Sequence, residues 1–160
     1  MNPLRMFMAV LAHLPLGVIR AIGRLTGHAF YVVSARRRGV VLTNLKACFP
    51  HIDESQRRCL AKAHFVLLGQ SLWDRAWLWH APESVVKKRM GFSGDFTVFD
   101  DPSPLIVLAP HFIGLDAGGL AMTQVKGISM AFVFVPLRNR FVEDWVMRGR
   151  NRSGRVRSVH

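Results

Sequence analysis

The residues of this sequence best equipped for chemistry are His111 and Asp116, five positions apart in PHFIGLD, directly after the apolar run PLIVLA. An imidazole can take a proton from an alcohol, and a carboxylate beside it fixes one tautomer and stabilises the imidazolium formed as the alcohol attacks. A base placed in this way contributes about 10² to 10⁴ in rate. With ten acids in 160 residues, about 0.4 histidine–acid couples at this spacing arise by chance, so position carries the argument and spacing does not. Residues five apart on a regular helix do not share a face, and the chain must turn between them for the two to meet. Gly114 permits such a turn, and Gly118 and Gly119 let a substrate approach the backbone closely. The other histidines, 13, 28, 51, 64, 80 and 160, lack this setting and read as packing or surface residues.

No competing catalytic set is present. The sequence has no G-x-S-x-G elbow, P-loop, HExxH or dinucleotide fingerprint. Cys48 and Cys59 make no metal-spaced pair and read as buried thiols of a reducing compartment. Neither a metal site nor a cofactor is expected. An alcohol supplied by the substrate would explain the absence of a protein nucleophile, which points to acyl transfer without a covalent enzyme intermediate.

The elements that must position this couple follow from the pattern. LIVLA, with its β-branched members, predicts a strand buried on both faces. GLDAGGLAMTQ predicts a helix, and ISMAFVFV a second strand ended by Pro136. Strand, helix, strand implies an α/β fold with a parallel crossover and ligands at the carboxyl ends of the strands, where both PHFIGLD and PLRNR fall. Upstream, GVVLTNLKACF predicts a helix stopped by Pro50, and Asp53 with Gln56 forms a capping box. The box opens a long helix reaching about Trp79 before Pro82, with Phe65, Leu72, Trp73, Trp77 and Leu78 as its packing stripe. MGFSGDFTVFDDPSP predicts a loop or hairpin, and the tail RGRNRSGRVRS is dense in arginine.

Half the residues are hydrophobic and the formal charge is +12; the mean hydropathy is +0.19. This composition excludes a disordered chain, and the charge calls for an anionic partner: nucleic acid, anionic lipid or an acidic carrier protein. No helix-turn-helix, RNA-recognition or zinc-finger signature accompanies it, which argues against nucleic acid. The apolar stretch 6–19 contains Pro15 and stops at Arg20, short of the roughly 20 residues a membrane span needs. With Arg20 and Arg24 one turn apart it predicts an amphipathic helix at a bilayer surface, with RRR at 36–38 held by anionic headgroups.

RRRGVVLTNLKACFPHIDESQRRCLAKAHFVLLGQSLWDRAWLW, PLIVLAPHFIGLDAGG and VPLRNRFVEDWVMRGRNR, in this order and along nearly the whole chain, resemble the N-terminal part of the lipid A biosynthesis lauroyl and myristoyl acyltransferases of Gram-negative bacteria. NLKACFP together with the His-x4-Asp stretch makes the resemblance specific. It implies a glycerolipid-acyltransferase-like fold: membrane-associated N-terminal helices over 1–35, then the N-terminal portion of an acyltransferase domain over 36–160, with a partial mixed or parallel sheet. It implies an enzyme on the cytoplasmic face of the inner membrane that moves a fatty acyl group from acyl carrier protein to a hydroxyl of a lipid A precursor. His111 would be the general base and Asp116 its orienting acid, where relatives often carry glutamate. Arg138 and Asn139 of PLRN, and Arg150, would contact an anionic headgroup. Family members continue with further strands, so the chain is expected to be a truncated portion, active or inactive alone, with an uncovered sheet edge, poor solubility and self-association. Two other readings stay open: transfer to another lipid acceptor such as a lysophospholipid or glycolipid, and a non-enzymatic basic binder of membrane or nucleic acid.

Overall fold

Asp53 and Gln56 make both bonds of the capping box. The Gln56 amide donates to Asp53 Oδ1 at 2.8 Å, and the Asp53 amide donates to Gln56 Oε1 at 3.1 Å. These bonds satisfy two orphan donors and start a helix that runs for 27 residues, Glu54–His80, about 40 Å at 1.5 Å per residue. The computed structural model describes residues 3–91, 93–101 and 103–159; the surface or packing role expected of His160 lies outside them. In chain order the helices are α1 (Pro3–Leu11), α2 (Leu16–Val33), α3 (Ala35–Cys48), α4 (Glu54–His80), α5 (Glu83–Arg89), α6 (Leu115–Leu120) and α7 (Arg140–Arg150), with strands β1 (Met130–Val133) and β2 (Val156–Val159) on either side of α7. Two compact units emerge: Leu14–Asp74, and the described parts of Met1–His13 with Arg75–His160.

Within Leu14–Asp74, α2 and α4 touch backbone to backbone through glycine. A Cβ on Gly27 would stand 2.4 Å from the Phe65 carbonyl oxygen and 2.6 Å from Val66 Cα, and one on Gly69 would stand 2.3 Å from the Gly23 oxygen. Around this contact Trp73 Nε1 donates to Thr26 Oγ1 at 2.9 Å, Arg20 pairs with the buried Asp74 at 3.2 Å, and Tyr31 meets Phe65 edge to face at 5.6 Å. Backbone cannot swing aside as a side-chain tip can. Gly27→Ala is therefore expected to destabilise this unit by about 1–3 kcal/mol, read as a lowered denaturation midpoint; an unchanged midpoint would refute the contact.

The packing stripe of α4 holds for Phe65, Trp77 and Leu78, which are buried, whereas Leu72 falls on the exposed side of the helix. The triple arginine splits in use. Arg36 and Arg37 are exposed, but Arg38 turns back to donate to the carbonyls of Tyr31 and Val32, whose helix ends there. Cys48 and Cys59 are free but exposed, contrary to the buried thiols expected: one ends α3 and the other lies on the outer side of the second turn of α4. Among the described residues no helix is long and apolar enough to cross a membrane.

In the other unit, β1 and β2 pair in parallel with Met130 opposite Val156 and Val133 opposite Val159, and α7 makes the crossover. A parallel crossover is present but not the expected one: the strand expected over 128–135 forms at 130–133 and pairs across α7 with 156–159, and 105–109 takes no part. Residues 104–109 form no strand: Ile106 is 97% and Leu108 92% exposed. A strand exists only through a ladder partner, and among the described residues none lies beside this run. The helix predicted from GLDAGGLAMTQ forms as α6 and continues into a π-helical turn over Ala121–Val125, where the Lys126 amide reaches back five residues to the Ala121 carbonyl at 3.2 Å. Thr123, fully buried, donates from Oγ1 to the Gly119 carbonyl at 3.0 Å. Gly127, with φ +75°, then reverses the chain toward β1.

Candidate active site

A short turn builds the approach to Asp116. The Phe112 amide donates to the Pro110 carbonyl at 2.8 Å, and the Leu115 amide to the Phe112 carbonyl at 3.1 Å. The chain thus turns between His111 and Asp116, as the couple requires, and α6 starts at Leu115 with Asp116 in its first turn. The Asp116 side chain is only 11% exposed. Its Oδ2 accepts from Arg75 Nε at 3.0 Å and Nη2 at 2.6 Å, and its Oδ1 accepts from Arg150 Nε at 2.9 Å. One carboxylate therefore joins the ends of α4 and α7 to the start of α6.

Aromatic packing aims the two guanidiniums. Arg75 lies over the Trp79 ring at 5.4 Å from its centroid, and Arg150 over the Phe132 ring of β1 at 5.5 Å. Trp79 and Trp145 meet edge to face at 4.6 Å, and α7 passes so close to Trp79 that a Cβ on Gly149 would stand 2.2 Å from its Cδ2. Only glycine lets α7 lie against that indole and deliver the next residue, Arg150, to the carboxylate. Trp145 Nε1 donates to His80 Nε2 at 3.2 Å. Burial, with Arg5 and Arg152 nearby, lowers the His80 pKa below its ordinary value and so favours the neutral ring able to accept that bond. Arg152 closes α4, donating to the carbonyls of Leu78 and Ala81 at 2.6 Å each.

The residues named from the sequence separate into those brought together and those that stand apart. Asp116 and Arg150, 34 positions apart, share a bond. His111 is exposed and makes no hydrogen bond to Asp116, whose partners are the two arginines. The permanent charge and parallel N–H groups of a guanidinium suit a carboxylate well, which accounts for the preference. Three of the roughly four lone-pair sites of Asp116 are taken, which leaves one on Oδ1. Asn139 caps α7, its Oδ1 accepting from the amides of Phe141 at 3.0 Å and Val142 at 3.2 Å. Arg138 lies exposed just before it. Sequence reasoning missed Arg75; its signal was a charged pair, Asp74–Arg75, set inside the apolar run SLWDRAWLW. Among the described residues no group of three or more His, Cys, Asp or Glu side chains is gathered as a metal site.

Comparison with known proteins extends over nearly the same span as these elements. The profile of the bacterial lipid A biosynthesis acyltransferase family matches residues 4–156. A lipid A biosynthesis acyltransferase of Haemophilus influenzae is 26% identical over 147 residues, covering 89% of this chain and 46% of that protein. A lipid A biosynthesis lauroyltransferase of Escherichia coli K12 is 26% identical over 151 residues, covering 91% of this chain and 48% of the relative. The chain thus spans about half the length of these curated relatives. No solved structure matches it.

Proposed function

The chain belongs to the bacterial lipid A biosynthesis acyltransferase family, and from that premise we propose that it serves in moving a fatty acyl group from acyl carrier protein to a hydroxyl of a lipid A precursor. His111 acts as general base. It takes the proton as the acceptor oxygen bonds to the acyl carbon and the bond to the carrier breaks, and it returns the proton to the carrier's leaving atom. Asp116 orients the imidazole through the acceptor site left on Oδ1 and stabilises its charged form. The observation that supports this reading best is the meeting of Asp116 and Arg150 on one nearly buried carboxylate, directly after the turn that bears His111. No cofactor enters the reaction.

Arg150 is held through Nε, and among the described residues its Nη groups bond no acceptor, so they can face an anionic headgroup. Exposed Arg138 and the side-chain nitrogen of Asn139 lie at the opposite end of α7, about 16 Å away at 1.5 Å per residue, and contact an anionic group there. Membrane association at the cytoplasmic surface of the inner membrane rests on exposed apolar side chains of α2, among them Leu25, Val32 and Val33, and separately on Phe7 and Val10 of α1. The charge of +12 suits both anionic lipid and an acidic carrier protein.

The test is transfer of a labelled acyl group from acyl carrier protein, with a lipid A precursor and a lysophospholipid as separate acceptors and the protein in mixed micelles. Label should appear in the lipid A precursor. Label in the lysophospholipid alone would replace the acceptor, and no label in either would defeat the reading.

A further inference from the structure

We propose that Arg75 is a positioning residue of this site: it sets the orientation of Asp116 and, through Asp116, that of Arg150. The inference rests on the acyl-transfer reading above and assigns a task to a residue that reading leaves idle. Arg75 gives two N–H groups to the same oxygen, Oδ2, at 3.0 and 2.6 Å, while its guanidinium lies along the Trp79 ring. A carboxylate gripped on one oxygen by a donor that is itself braced has little freedom to rotate. Its other oxygen, Oδ1, is thereby fixed toward Arg150 Nε and toward the position left for an imidazole N–H. Arg75 acts through the acid.

Two variants of the full chain test this, Arg75→Ala and Arg75→Lys, each first compared with the wild type by circular dichroism and melting. Arg75→Ala should lower kcat about 10- to 100-fold, the effect of a small misplacement of catalytic groups, with KM for the donor within about twofold of wild type and KM for the acceptor raised by the displacement of Arg150. Added guanidinium ion, which can occupy the vacated place, should restore part of kcat. Arg75→Lys keeps the charge without the parallel donors and should stay impaired. Wild-type kcat in a folded Arg75→Ala, or no rescue, would overturn the proposal, as would loss of the fold in both variants.

A readout independent of turnover separates this from failure of the acyl-transfer reading. Hydrogen exchange at Arg150 Nε, followed by NMR, should be slow in the wild type and about tenfold or more faster in a folded Arg75 variant. A wild type that transfers no acyl group but shows this change would sink the enzymatic reading and keep the positioning role. Unchanged exchange would sink the positioning role whatever the activity.

Discussion

His111→Ala is expected to lower acyl transfer by a factor of about 10² to 10⁴ while leaving the melting curve where it was. The magnitude follows from removing a general base, and the absence of a stability effect follows from the structure. The imidazole is exposed and bonds to neither Asp116 nor Arg75, and truncation at such a position changes stability by no more than about 0.5 kcal/mol. Kinetics of the variant under the micelle conditions above, beside its thermal melt, decide the matter. Retained turnover would remove His111 from the mechanism. Lost turnover with a lost fold would show the residue to be structural.

Asp116→Ala should do both kinds of damage. It strips the common partner from two guanidiniums that are only 24% and 30% exposed. Removing one member of a buried ion pair costs about 3–5 kcal/mol, and the partial exposure of the arginines reduces this to about 2–3 kcal/mol. The three helices that the carboxylate joins should loosen together, seen as a lower denaturation midpoint, and acyl transfer should fall with it. In the Asp116→Ala background, Arg75→Ala should add little further loss, since the two side chains act as one unit. Full additivity would mean that the bonds between them contribute nothing.

The contrast between these two substitutions marks where the sequence was legible. The capping box at Asp53 and Gln56, the stops at Pro50 and Pro82, and the strand at Met130–Val133 were readable because their causes are local: a side chain bonding an amide three residues away, a ring that blocks a helix, an apolar run between breakers. Residues 105–109 misled because apolar, β-branched composition states a readiness to pair, while pairing depends on a neighbour. β2 went unrecognised inside an arginine-rich tail for the same reason, since its partner, β1, lies across a helix. His111 and Asp116 were found by type and spacing, but the two guanidiniums that hold the acid come from 41 and 34 positions away. Neither distance leaves a local trace.

The π-helical turn at Ala121–Val125 introduces a phase step. One surplus residue in the winding rotates whatever follows by about 100° against an uninterrupted helix. Upstream of the step Asp116 is aimed at its guanidiniums; downstream, the Lys126 ammonium stands 4.8 Å from the Phe96 ring centroid. Shortening or lengthening this turn by a single residue would therefore act as a change of clocking, carried through Gly127 into the strand that supplies Phe132 beneath Arg150.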